Sequence, residues 1–390
     1  VLMIVFVVLA QRVRPQMIMF IFFAAANAFA YAVAIGQHME HDFLNLRYNI
    51  ASNQYTKFIS TFGNINMYAS YLSISIPVLL AVFAFCKNWF SRILSGILLI
   101  AAGCNILIAN SDSVFLGIFA GVVVVTILAF MQGRLRYSSF AVFLLFVGNL
   151  VLGFINKYGH TRYDKKRGGL AIALNRLDIA FVLCGAALLA VVCVCNWKLG
   201  TRVAAWNKKK IVLIVCGACV ALGVIGIIVL AVTGSSLLTF NDKWGSYRGY
   251  IWRKIVEVYG DAPFVNKLFG YGNESVRVTL KAACYNEMVQ VTGKVYDNAH
   301  NELLQYLFTT GIVGLLSYLA LVGSSIVYMF KHAKEHAWIS VCLAATVGYF
   351  AQSILNLNQP ITTPLFFVFM AMGVGTVNYC RRVKELEKRA

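Results

Sequence analysis

SVFLGIFAGVVVVTILAFM (113–131) holds nineteen residues without a charge or a proline. A run of that length spans the hydrocarbon of a bilayer as a helix, at about 1.5 Å per residue. Similar runs recur on both sides of it. With it they make ten full candidates, at 16–35, 67–86, 93–109, 113–131, 138–155, 177–196, 211–232, 311–330, 337–356 and 361–380. Backbone polar groups inside hydrocarbon must be bonded within their own segment, so these runs read as helices. The alternating segments of a transmembrane β-barrel do not occur.

The composition agrees. Of 390 residues, 60% are hydrophobic and 13% charged, and the mean hydropathy is +0.73. A soluble domain carries about 25% charged residues, so a water-facing surface for this chain is excluded. So are a disordered chain and a disulfide scaffold. The fold class is an all-α polytopic membrane protein with about ten full transmembrane helices. VLMIVFVVLA (1–10) is too short to span. It reads as the tail of a partial N-terminal helix, in a chain truncated at its N-terminus. No linker or internal repeat stands out, so residues 1–390 read as one membrane domain.

Orientation follows from charge. Alternating the connections places 11–15, 87–92, 132–137, 197–210, 331–336 and 381–390 on one side. These 47 residues carry 18 of the 34 Lys and Arg and three acids. By the positive-inside rule that side is cytoplasmic, the C-terminus included. The other side carries 16 cations, six of them in NKYGHTRYDKKRGGLAIALNR (156–176). That loop is basic where basic residues are disfavoured, which suggests either work for those cations or a local topology error. The largest outer loop covers 233–300. In a soluble protein a net charge of +19 would suggest nucleic acid. Here the inner cations set orientation, and the outer ones point to membrane lipids and an anionic lipid carrier instead.

Within the large loop, Tyr247, Ile251, Ile255 and Val258 recur at helical spacing. They predict an amphipathic helix over 245–260 lying at the outer membrane interface. Asp261-Ala-Pro263 ends it, and LFGYGN (268–273) makes a glycine-rich turn. The next helix is expected to start near Asp297 or Asn298 as N-cap, with His300 in its first turn. Thr309-Thr310-Gly311 marks a break before the following span.

His300-Asn301, LLQYLFTTG (303–311) and IVGLL (312–316) resemble the signature of the O-antigen ligase and polysaccharide polymerase superfamily. There a His-Asn pair closes the large loop and a Gly-x-x-Gly enters the next helix, here Gly311 and Gly314. FGNINMYASYLSISIP (62–77) is similar to that family's Gly-Asn-x-Asn-x-x-Ala entry to an early helix. SYRGYIWRKIVEVYGDAPFVNKLFGYGN (246–273) is similar to its Arg-x-x-x-Trp, Asp-x-Pro and Gly-x-Gly run. The resemblance covers about 50–380. It implies a multi-pass protein of the bacterial inner membrane, without metal or other cofactor. The implied reaction moves a glycan from undecaprenyl diphosphate to a saccharide or lipid-linked acceptor on the outer face. It implies His300 as the base that activates the acceptor hydroxyl and Arg248 as a diphosphate ligand. One departure stands out. The family often has Ser-Arg at the outer start of the helix at 113–131, and this chain has Ser111-Asp112-Ser113. Arg176, in the basic loop, is a candidate to supply that charge. Arg253, Asn64, Asn66 and Asn301 complete the candidate substrate contacts. Ligase and polymerase both remain open, with Asp112 and the cysteine usage tilting toward polymerase.

The residue types suit the chemistry independently. Arginine matches phosphate oxygens as a planar fork. The outer acids Asp242, Glu257, Asp261, Glu274, Glu287 and Asp297 look too scattered to hold Mg²⁺, which leaves fixed cations to stabilise a leaving diphosphate. A neutral histidine can accept a hydroxyl proton, and a helix N-terminus helps keep it neutral. Two other classes stay open. A flippase or other transporter would share the helices, and a non-catalytic assembly subunit would too. A carrier should place ionisable groups near midplane, and the spans hold almost none. HAKEH (332–336) matches a zinc-protease pattern and Gly117/Gly121 a helix-packing pattern; the first reads as chance and the second as packing.

Overall fold

The computed structural model describes residues 2–12, 16–51, 54–55, 57–109, 111–158 and 241–389. Across them the chain is helical. The helices are α1 (Leu2–Arg12), α2 (Gln16–His38), α3 (Ile65–Phe85), α4 (Trp89–Ala109), α5 (Asp112–Met131), α6 (Leu135–Tyr158), α7 (Trp244–Gly260), α8 (Phe264–Phe269), α9 (Ser275–Thr292), α10 (Glu302–His332), α11 (Ala337–Ser353) and α12 (Thr363–Glu387). Seven of these, α2 to α6, α10 and α12, are long and apolar enough to cross a membrane. The helix α11 is apolar and 17 residues long. Eight of the ten expected spans therefore coincide with helices. The remaining two, 177–196 and 211–232, lie outside the described residues, as does Arg176.

The described residues group into two compact units. The first comprises the helices within 2–158 together with 325–352 and 359–389; the second comprises 241–324 and 353–358. The expected loop 233–300, from 241 onward, belongs to the second.

In the first unit α3 is buried along its length. Its hydroxyls are satisfied locally or by neighbours. Ser70 and Ser73 donate to the carbonyls four residues back, Asn66 and Ala69, at 3.0 and 2.9 Å. Ser75 shares a 2.8 Å bond with the Tyr31 hydroxyl, and the Tyr68 hydroxyl donates to Asn105 at 2.6 Å. A buried hydroxyl without a partner would cost about 1–3 kcal/mol, so these pairs let α3 be both polar and central. Small residues permit the close approaches. A Cβ on Gly117 would strike Ser73, and one on Gly121 would strike Pro77, so that motif is packing. Gly103 and Gly148 meet backbone to backbone where α4 crosses α6. His332 of the zinc-protease-like pattern bonds Glu335 at 2.9 Å, and Lys384 reaches the same carboxylate at 3.1 Å.

In the second unit α10 is broken at Gly311 (φ 68°, ψ −173°), a conformation that L side chains avoid. The break frees carbonyls that a straight helix would use. Tyr271 donates its amide to Phe308 at 2.9 Å and Gly272 donates to Thr309 at 3.0 Å. The amide of Ile312 faces the Tyr259 hydroxyl, which itself donates to Lys267 at 2.5 Å. A Cβ at Gly311 would strike the Leu268 carbonyl, and one at Gly270 the Thr309 backbone. The expected break at 309–311 and the glycine turn at 268–273 are thus two halves of one contact. Gly311→Ala is expected to lower the thermal unfolding temperature in detergent by several degrees, because it adds both left-handed strain and a backbone clash. Gly314→Ala would crowd Thr310 but adds no left-handed strain and no clash with the backbone of the turn, and it is expected to shift the temperature less.

Candidate functional site

Residues 241–308 build a small core. Tyr250, Ile251 and Ile255 of α7 pack with Val276, Leu280 and Met288 of α9, and with Tyr296, Ala299 and Phe308. The apolar stripe of α7 therefore faces this core, where the sequence suggested the membrane interface. The reason is α9, a second amphipathic helix whose Val276, Leu280, Cys284 and Met288 recur at every fourth position. That repeat was readable but masked by the polar and charged residues between.

The approach to His300 is held by a chain of bonds. Trp252 Nε1 donates to the Ala299 carbonyl at 2.8 Å, and the Ala299 amide donates to Gln305 at 2.9 Å. The His300 amide donates to Asn298 Oδ1 at 3.1 Å. Asn301, not Asp297 or Asn298, is the residue immediately before the helix: its Oδ1 accepts from the Leu304 amide at 3.0 Å. His300 thus precedes α10 instead of lying in its first turn, with a left-handed φ of 47°. Asn301 is buried and acts as the cap, so its side-chain carbonyl serves the helix.

The His300 ring lies edge-on to Tyr296, with centroids 6.0 Å apart. Its Nδ1 is buried and has no hydrogen-bond partner among the described residues. Burial, with help from the charges of Arg248 and Lys294 and against that of Asp297, pushes its pKa down to about 4. Neutrality thus comes from burial and neighbouring cations, beyond the helix terminus that the sequence suggested. Arg248 follows three successive left-handed residues, Gly245, Ser246 and Tyr247. Tyr296 fastens that turn by donating its hydroxyl to the Ser246 carbonyl at 2.8 Å. The Lys294 ammonium lies 4.4 Å from the centre of the Tyr296 ring. Lys294 and Tyr296 were not singled out in the sequence. Lys294 follows the left-handed Gly293 that ends α9, and only the folded turn shows that it serves this site.

Arg253 does something else. It forms a fork with Asp242, at 3.1 and 2.9 Å, and lies 3.7 and 3.9 Å from Glu257 and Glu287. Lys254, largely buried, pairs with Glu287 at 2.8 Å and Glu257 at 3.1 Å. Three of the acids that looked scattered therefore converge, on two cations that they neutralise. Arg253 holds Asp242 below the usual carboxylate range. These contacts make Arg253 a brace between α7, α9 and the preceding turn, a structural role beside the substrate contact expected from the sequence. Asn64 caps α3 by accepting from the Asn66 amide at 2.8 Å. Both lie in the first unit, whereas His300, Arg248 and Lys294 lie in the second.

A neutral imidazole with an unused nitrogen, flanked by two cations, can accept a proton while the cations bind an anion. Residues 168–319 match the family model described as O-antigen ligase. By this match, over 152 of the 390 residues, the segment is similar to an O-antigen ligase domain. It contains Arg248, His300, Asn301 and Lys294, and it ends nineteen residues past His300. Members of the O-antigen ligase family are glycosyltransferase-like ligases and polymerases. Among curated proteins, none matches the chain.

The histidine state is measurable directly. In histidine-labelled protein, the resonance lost in His300→Gln is expected to titrate near pH 4, and Arg248→Gln is expected to raise that midpoint. An unfolded histidine binds its proton near 6.5. The folded pKa is lower, so His300's contribution to stability is complete above about pH 6.5 and is lost as pH falls toward about 4. Acid unfolding of wild type and His300→Gln, compared across that window, checks the sign.

Proposed function

We propose that this protein is a membrane glycosyltransferase that moves a glycan from an undecaprenyl-diphosphate carrier to an acceptor hydroxyl on the outer face of the bacterial inner membrane. The observation that carries this reading is His300: buried, neutral, with an unpartnered Nδ1 and with the charges of Arg248 and Lys294 acting on it, in a segment similar to an O-antigen ligase domain. The acceptor oxygen attacks the anomeric carbon. His300 takes the hydroxyl proton as the new bond forms. The bond from that carbon to the diphosphate breaks, and its electron pair stays on the leaving diphosphate. Arg248 and Lys294 offset that charge, as preorganised cations do most effectively where water is excluded. Lys294 thus adds a second cation acting on His300 beside Arg248. Between ligation and polymerisation, we favour polymerisation, with a second lipid-linked glycan as acceptor.

A transporter is the competing reading. Among the described residues the buried charged side chains are Lys254 and Glu302, and neither lies mid-span. A carrier would place such groups along its path, so the arrangement supports surface chemistry over passage.

Reconstituted protein with lipid-linked glycan and acceptor tests the assignment. His300→Ala is expected to slow transfer by about 10²–10⁴-fold, the usual contribution of a general base. Arg248→Gln and Lys294→Gln are expected to raise the donor KM and lower kcat, by about tenfold or more each, consistent with about 1.5–3 kcal/mol for a charge-assisted bond. Arg253→Gln is expected to cost less than about 1 kcal/mol of stability, as exposed ion pairs do, and to leave the donor KM near wild type. Full transfer by His300→Ala, or glycan crossing vesicles with no transferred product, would overturn the proposal.

A further inference from the structure

The short helix α8 is turned inside out for a helix in water. Phe264, Val265 and Phe269 are 74%, 66% and 62% exposed. Its polar groups are used locally and by α7: Asn266 donates to the Gly270 carbonyl at 3.1 Å, and the Lys267 carbonyl accepts from Tyr259. The end of α8 abuts the break in α10, where Leu268 and Phe269 touch Gly311. Directly beyond that break, Ile312, Val313 and Leu316 are exposed along a helix apolar enough to span a membrane. The exposed apolar residues of α8 therefore adjoin those of a membrane-spanning helix at this backbone contact.

We propose that α8 is a membrane anchor, seated in the bilayer at the end of α10 with Phe264, Val265 and Phe269 among the lipid chains. The bilayer is the occupant because the surface adjoins that of a span, and because a water-facing helix with this face would expose three large apolar side chains in six residues. Pro263 and Gly270 bound the helix, and the bonds from Tyr271 and Gly272 to α10 hold it there. Residues 268–272 thus serve both the anchor and the fastening of the helix break. The loop core is tied to the membrane at this point, whichever substrate the site takes.

The test places a nitroxide label at Phe264→Cys and at Phe269→Cys in the full chain, reconstituted in phosphatidylcholine–phosphatidylglycerol vesicles. Signal from native cysteines is subtracted with labelled wild type. The expected result is stronger collision with oxygen than with a water-soluble nickel chelate at both positions, and the reverse at Lys281→Cys on exposed α9. Nickel access at 264 and 269 equal to that at 281 would overturn the anchor, and so would protection from both agents, which marks a protein partner or a second copy. Should the cysteine variants fail to fold, benzoylphenylalanine in place of Phe264 gives a second readout. Cross-links to lipid chains support the anchor, and adducts to protein alone overturn it. Neither readout depends on glycosyl transfer, so loss of the anchor would leave the enzymatic assignment standing.

Discussion

The second unit depends on a helix that stops being a helix for one residue. At Gly311 the backbone of α10 turns through a conformation open to glycine, and the orphaned groups are taken by Tyr271, Gly272 and Tyr259. Each such group, if buried and unbonded, would cost about 1–3 kcal/mol. The glycine-rich turn is therefore the part that makes the break affordable. The turn packs beside the core in which α7 and α9 meet Phe308, the core that also holds Tyr296 and Ala299 next to His300. The stacked rings of Tyr271 and Phe308, 4.9 Å apart, fill the space between turn and helix.

Two kinds of glycine use separate the units. In the helical bundle, Gly103, Gly117, Gly121 and Gly148 let backbones approach to distances a methyl group would forbid. In the loop, glycines let the chain turn. The first use is how helices associate in a membrane, where lipid is as apolar as leucine and packing supplies the attraction. The second is how a compact site is assembled from a segment rich in charge.

The spans were legible because hydrocarbon imposes one demand on every residue of a long run, and SVFLGIFAGVVVVTILAFM meets it with no exception. The break at Gly311 and the turn at 268–273 were legible as well, since each relies on glycine, whereas the His300-Asn301 pair was legible through its resemblance to the family signature. What escaped was direction and partnership. The stripe of α7 says that one face is apolar, and a period does not say whether lipid or protein covers it. Val276, Leu280 and Met288 answer that, but they sit among Arg277, Lys281 and Glu287 and carry a weak signal. Arg253 looked like Arg248, one turn earlier on the same helix. Only the fold shows Asp242 and Glu287 arriving from elsewhere to neutralise it. Lys294 escaped because its partners Tyr296 and His300 lie across a turn whose shape no spacing rule records.

The burial that keeps the His300 imidazole uncharged has a chemical consequence. A histidine in open water would gain a proton, and cease to accept one, under mild acidification. This one keeps its lone pair down to about pH 4. Here burial holds the imidazole neutral, and the same burial makes its lone pair a weaker base than that of an open histidine.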